Sequence, residues 1–322
     1  MGLPKFEYLE PKSLKEATKA LLSTSRAVLL AGGTDLLVNM KHRVVDPDLV
    51  IDLKAISKLD DISFGKEGLR IGACTSLHDL ASFPAVREFY PALSQAAEEV
   101  GAYSHQVMGT LGGNLCQGNR CRFYNQSVFW RSVRPICYKA GGKICHVVRK
   151  PGECHSTYCG DLAPVLIAME ARIALIGPEG ERIVPLRKLY TGNGKSPLSL
   201  KRGEILREVM VPPPTGKTIY LKWRLREAIE FPTVGLALSL QLDGKERVKK
   251  ARIVFTAVEP APVEAREAEK ALQGNPLAQI PTDKIGAQAA KEISPMRTST
   301  VSPAYKRKMA GILLKEAIET IG

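Results

Sequence analysis

Six of the seven cysteines in this 322-residue chain fall within one 46-residue stretch, residues 115–160. They are Cys116, Cys121, Cys137, Cys145, Cys154 and Cys159, and the same stretch holds eight lysines or arginines against a single acid, Glu153. Thiols grouped this way hold a metal centre or a disulfide framework. The first 25 residues contain no apolar core with a cleavage site, which argues against a secretory signal. Phe6 stands where a myristoylation site needs Ser or Thr. No apolar run is long enough to span a membrane. A cytoplasmic, reducing location is therefore expected, and it disfavours disulfides.

The chain is long enough for two or three domains with proper cores. Its net charge of +13 admits nucleic acid, an anionic cofactor or an acidic protein as partner. The cations are spread along the chain without a helix-turn-helix, RNA-binding or zinc-finger pattern. Phosphate binding and docking to acidic protein surface account for the charge better than nucleic acid does.

Residues 1–214 read as an α/β unit in two parts, about 1–57 and 58–214, with the cysteine stretch as an insert at 115–160. Ser13 with Glu16 forms a capping box for a helix reaching about residue 23. The apolar run 27–30 is a buried strand, and the turn Ala31-Gly32-Gly33 opens a helix at Thr34 or Asp35. Further strands are expected at 49–53, 69–72, 171–176 and 183–185, with helices at about 77–84, 90–100 and 161–169. Pro212-Pro213-Pro214 marks a boundary. Beyond it, 215–322 reads as an α+β domain. Antiparallel strands at 220–226, 234–242 and 251–258 precede helices at about 262–273, 282–292 and 303–320.

Two glycine motifs carry the clearest chemistry: Ala31-Gly32-Gly33-Thr34-Asp35-Leu36 and Gly109-Thr110-Leu111-Gly112-Gly113-Asn114. A strand, a Gly-Gly turn and a helix start present unpaired amides to a pyrophosphate. Either motif alone is equally a tight structural turn. Neither fits GxGxxG or GxxxxGK[ST], so a dinucleotide fold or P-loop is not supported.

The pair, in this order, resembles the FAD-binding medium subunit of the molybdenum hydroxylase family, which includes the xanthine and carbon monoxide dehydrogenases. The resemblance spans the chain. It includes Asp161-Leu162-Ala163-Pro164, the strand around 222–231 and the helix start Ser302-Pro303-Ala304-Tyr305-Lys306-Arg307. It implies that Leu29, Leu30, Ala31, Gly32, Gly33, Thr34, Asp35 and Leu36 bind FAD together with Thr110, Leu111, Gly112, Gly113 and Asn114. Asp161 would lie in the same site, with Gly101, Ala102, Arg122 and Lys222 as further candidates. Asp161 is equally placed to N-cap its helix. Glu227-Ala228-Ile229-Glu230 departs from the family, where an Asp commonly stands nearer the Pro-Thr-Val turn.

The insert resembles that of the 4-hydroxybenzoyl-CoA reductase beta subunit and, more loosely, some aldehyde oxidoreductase flavin subunits. That likeness implies a 4Fe-4S cluster on Cys121, Cys137, Cys145 and Cys154, at spacings x15, x7 and x8. Spacing alone leaves a zinc site open, because Cys116/Cys121 and Cys154/Cys159 are x4 pairs. Cys116 and Cys159 read as buried free thiols and Cys74 as a small core residue. His146 and His155 follow cysteines directly and read as surface or supporting groups.

The family implies an electron-transfer subunit with no catalytic residue of its own. It would assemble with a molybdenum-cofactor large subunit and a 2Fe-2S small subunit, as a dimer of heterotrimers, and take electrons from a ferredoxin or similar donor. The 4-hydroxybenzoyl-CoA reductase reading stands first. A flavin subunit of an aldehyde or N-heterocycle hydroxylase, and a zinc-stabilised FAD-binding module, stand beside it.

Overall fold

A computed structural model describes residues 2–148 and 152–321 of the chain, which form three sheets. The first is parallel, with strands β1 (Glu7–Leu9), β2 (Ala27–Leu30) and β3 (Leu49–Asp52) in the order β1-β3-β2. The crossover from β1 to β2 is the helix Leu14–Ser23. Its start is set by the capping box: Ser13 Oγ accepts from the Glu16 amide at 3.2 Å, and the Glu16 carboxylate accepts from the Lys12 amide at 2.8 Å. The helix buries Ala17 against Ile51, Leu53 and Ile56, so β2 is held firmly up to the glycine turn that ends it.

The second sheet contains β4 (Ile62–Gly65), β5 (Gly68–Gly72), β6 (Arg172–Gly177), β7 (Gly180–Pro185) and β8 (Ile205–Val211). Its order is β4-β5-β8-β6-β7, with every pair antiparallel. The central strand β8 is absent from the sequence reading because Arg207-Glu208 interrupts its apolar pattern. The helices expected at 77–84 and 90–100 are three: Leu77–Ser82, Pro84–Phe89 and Pro91–Glu98. Pro84 and Pro91 each occupy a first helical position, where the missing N–H is harmless, and cannot continue a preceding helix.

The third sheet has β9 (Lys217–Trp223), β10 (Val234–Leu242), β11 (Val248–Thr256) and β12 (Val263–Glu264), antiparallel in the order β12-β11-β10-β9. The helices Arg266–Leu272, Thr282–Lys291 and Pro303–Ile321 cover one face, burying Leu236, Leu238, Ile253 and Phe255. Alternation along the strands sends Tyr220, Ala237 and Val254 to the other face. There they join the core built on the wholly buried helix Leu162–Ala168. One continuous core thus spans the sheet of the C-terminal part and the helices of the first part. Among the described residues, no helix is long and apolar enough to cross a membrane.

Candidate functional site

The two glycine motifs meet backbone to backbone. A β-carbon at Gly32 would overlap the Met108 carbonyl and lie 2.8 Å from Gly109 Cα. Gly33 has a left-handed φ of +73°, which glycine adopts without strain. Among the described residues, the amides of Gly32, Gly33, Thr34 and Asp35 make no hydrogen bond. They run directly into the helix Leu36–Lys41. Consecutive open amides with one left-handed residue form a concave anion cradle, and the helix N-terminus adds to its positive potential.

The second motif differs from the expected strand, turn and helix. A helix, Tyr103–Met108, precedes it. Its amides are also occupied, all but that of Thr110. Leu111 donates to Thr75 O at 2.9 Å, Gly112 to Ala73 O at 2.8 Å and Asn114 to Thr110 O at 2.9 Å, while Thr110 Oγ1 takes the Gly113 amide at 3.1 Å. This motif therefore supplies the wall against which Gly32 rests, and only Gly113 is exposed on it. The Thr75 and Ala73 partners are tertiary and left no local trace in the sequence.

Asp161 stands at the N-cap position of Leu162–Ala168 without capping it; Asn114 Oδ1 takes the Leu162 amide instead, at 3.2 Å. The Asp161 carboxylate accepts from Tyr220 Oη at 2.8 Å and lies 3.0 Å from Lys222 Nζ. Lys222 also donates to Glu99 O at 2.6 Å. Both side chains are enclosed, with 3% and 1% exposure. Burial pushes the Asp161 carboxyl up to about 6, against the opposing pull of Lys222 and Tyr220.

Gly101, with φ +59°, accepts the Ile229 amide at 3.0 Å, and Arg224 pairs with Glu99 at 2.8 Å. The divergent segment 227–230 is thereby tied to Gly101. Arg122 is not brought to the glycine motifs. It is exposed, with its amide on Thr298 O at 2.8 Å and its guanidinium over Phe123. Arg120 takes the place expected for it, with Nη1 2.7 Å from Asp35 Oδ1. Nothing in the sequence separates Arg120 from the other insert cations.

Cys121, Cys137, Cys145 and Cys154 line one small cavity together with Tyr124, Lys139, His146 and His155. Local turns aim them. The Cys121 amide donates to Asn125 Oδ1 at 3.0 Å. Cys137 opens a 3-10 turn whose Tyr138 amide bonds Ile144 O at 2.7 Å, which brings Cys137 and Cys145 alongside each other. Burial, with lesser contributions from neighbouring Cys154 and Cys145, pushes the Cys121 thiol up to about 11. Lys139 Nζ is bonded to Asn119 O at 2.9 Å and Ser156 Oγ at 3.1 Å, above the Tyr124 ring. Burial lowers the Lys139 pKa although the thiols favour its charge.

Among the described residues, no three His, Cys, Asp or Glu side chains close on a single metal ion. Cys116 and Cys159 lie off the cavity, and burial pushes them up to about 12 and about 11. Cys74 is partly buried beside the core under the parallel sheet.

An anion cradle at a strand end, backed by a second glycine turn and a large α/β core, suits a phosphate-bearing ligand such as a nucleotide. Comparison with known proteins narrows this. Residues 4–214 match the FAD binding domain in molybdopterin dehydrogenase, and residues 220–321 match the CO dehydrogenase flavoprotein C-terminal domain. The aldehyde oxidoreductase FAD-binding subunit of Escherichia coli is 32% identical over 280 residues, 82% of this chain and 85% of that one. The carbon monoxide dehydrogenase medium chain of Hydrogenophaga pseudoflava is 30% identical over 319 residues, 98% and 96% of the two chains. A solved carbon monoxide dehydrogenase structure from Hydrogenophaga pseudoflava superposes with a TM-score of 0.83 at 28% identity, covering 100% of this chain and 98% of that one. The chain belongs to the FAD-binding medium subunits of the molybdenum hydroxylase family.

Proposed function

We propose that this chain is the FAD- and 4Fe-4S-carrying electron-transfer subunit of a molybdenum enzyme, with 4-hydroxybenzoyl-CoA reductase as the first reading. The observation that carries the cluster is the convergence of Cys121, Cys137, Cys145 and Cys154 on one cavity. Four thiols spread around a cavity suit a cluster, in which each thiolate meets a different iron. A lone zinc ion needs its ligands gathered at about 2.3 Å. Flavin exchanges electrons singly or in pairs and a cluster exchanges them one at a time.

The residues present suit both groups. The open amides of Gly32, Gly33, Thr34 and Asp35 would hold the FAD pyrophosphate, with Leu29, Leu30, Ala31 and Leu36 as the strand and helix ends that place them. Gly109 and Thr110 would back them, and Gly113 and Asn114 would complete the wall. Lys139 would offset the negative charge of the thiolates, and Phe123 and Tyr124 would exclude water. Asp161 and Lys222 support this reading from behind, by joining the two parts of the chain. The division at 214/215, with the insert at 115–160, belongs to the same reading.

The substrate site would lie on a molybdenum-cofactor large subunit, with a 2Fe-2S small subunit alongside in a dimer of heterotrimers. A ferredoxin-like carrier would supply electrons. Expression with those subunits should give removal of the phenolic hydroxyl from 4-hydroxybenzoyl-CoA, yielding benzoyl-CoA. Anaerobically purified protein should carry FAD and about four irons with acid-labile sulfide per chain. Zinc without sulfide would defeat the cluster. The 32% identity to an aldehyde oxidoreductase subunit favours a second reading, in which the partner oxidises an aldehyde. Turnover of an aldehyde and not of the CoA thioester would select it.

A further inference from the structure

Three side chains of the insert reach the segment that carries the open amides. Arg120 Nη1 donates to Asp35 Oδ1 at 2.7 Å, and Asn125 Nδ2 donates to Asn39 Oδ1 at 3.2 Å. Arg131 Nη2 donates to Arg43 O at 2.7 Å and His42 O at 3.3 Å. Asp35, Asn39, His42 and Arg43 follow one another along the helix Leu36–Lys41 and its two flanks. Each of these contacts starts in the folded shell of the insert. Arg120 precedes Cys121 and exchanges backbone hydrogen bonds with Thr157 at 2.7 and 2.8 Å. Asn125 receives the Cys121 amide at 3.0 Å.

The Arg120 contact has a chemical consequence. A free carboxylate on residue 35 would repel an anion held by the amides of residues 32–35. Asp35 makes no cap bond; its carboxylate is paired with Arg120, whose guanidinium lies 5.0 Å from the Phe231 ring centre. The negative charge beside the open amides is thereby offset.

We propose that the insert is a clamp on the flavin loop, with Arg120 as a positioning residue that holds the Asp35 carboxylate and offsets its charge beside the open amides. FAD affinity then depends on the folded state of the insert. This rests on the flavin reading of the glycine motifs and is independent of which metal the cysteines hold.

The test is FAD titration of the deflavinated full-length protein by fluorescence quenching, with circular dichroism as a folding control. Arg120→Ala should weaken binding about tenfold, the scale of losing a charge-assisted contact. Arg131→Ala and Asn125→Ala should weaken it less. Asp35→Asn in the Arg120→Ala background should restore most of the loss, because the remaining amide side chain carries no charge. Should Arg120→Ala fail to fold, Asp35→Asn alone serves: it should bind FAD at least as tightly as the parent protein. Parental affinity in folded Arg120→Ala, absence of rescue, or weakened binding in Asp35→Asn would overturn the clamp. Retained flavin in Gly33→Val would instead remove the flavin reading, and the clamp with it.

Discussion

Gly32 rests directly beneath the carbonyl of Met108, so that any β-carbon at position 32 would occupy the oxygen's place. Both sides of the contact are backbone and neither can rotate away. Gly32→Ala should therefore force the two glycine turns apart and strip the protein of FAD. Gly113→Ala should cost less than Gly32→Ala, since its new methyl would meet a single side-chain atom, Thr110 Oγ1, at 2.9 Å, which must give way. Flavin absorbance per chain after purification checks both. Equal flavin content in the two variants would show that the close approach is not what shapes the cradle.

Asp161 and Lys222 form an enclosed pair, and removing one partner strands the other. Lys222→Met should destabilise the fold by about 3–5 kcal/mol, the usual result of leaving a buried charge unpaired. Its pH signature has a definite sign. The Asp161 carboxyl is raised to about 6 in the folded chain, above the unfolded value of about 3.9. The folded state thus holds the proton more tightly, and this contribution is full below about pH 4 and lost as pH rises towards 6. Relative to Asp161→Asn, the parent protein should lose up to about 3 kcal/mol of stability between pH 4 and 7. Urea unfolding at each pH measures it, and a parent protein that gains stability relative to Asp161→Asn as pH rises would contradict the assignment.

Elements bounded by their own chemistry were legible in the sequence. Residues 27–30 and 234–242 are strands to the residue, each an apolar run set off by polar or turn residues. Ser13 and Glu16 announced their helix. What the sequence could not carry was pairing at a distance. The amides of Leu111 and Gly112 are taken by Thr75 and Ala73, and Asp35 finds Arg120 across 85 positions. The spacing of the cysteines also left zinc and cluster open, and their convergence depends on the 137–145 turn and on Lys139 inside the cavity.

Separating the six insert cysteines by iron content tests that convergence. On the cluster reading, Cys137→Ser combined with Cys145→Ser should lose the iron, while FAD remains bound more weakly because the clamp starts in the same shell. Cys116→Ser should keep its iron, since Cys116 lies away from the cavity beside Tyr158 and Tyr190. Iron and acid-labile sulfide determinations decide. Full iron in the double variant would reject Cys137 and Cys145 as ligands.

On the proposed electron-transfer reading, a carrier protein would dock on the outer surface of the insert. Phe129 is 81% exposed on the short helix Val128–Ser132, and Val133 and Ile136 beyond it are also exposed. Arg122, Arg134 and Lys143 are exposed on the same insert. Apolar side chains accompanied by cations match a partner with an apolar contact ringed by acids. Ile136 precedes Cys137, so a protein seated here would come close to the cysteine cavity. Phe129→Asp should slow electron exchange with an acidic ferredoxin at least tenfold at low salt, through lost contact and added like charge. FAD and iron contents should not change, because Phe129 is turned outward. Raising the ionic strength should slow the parent protein towards the variant as the charges are screened. A rate that is unaffected by both the substitution and the salt would place the docking surface elsewhere.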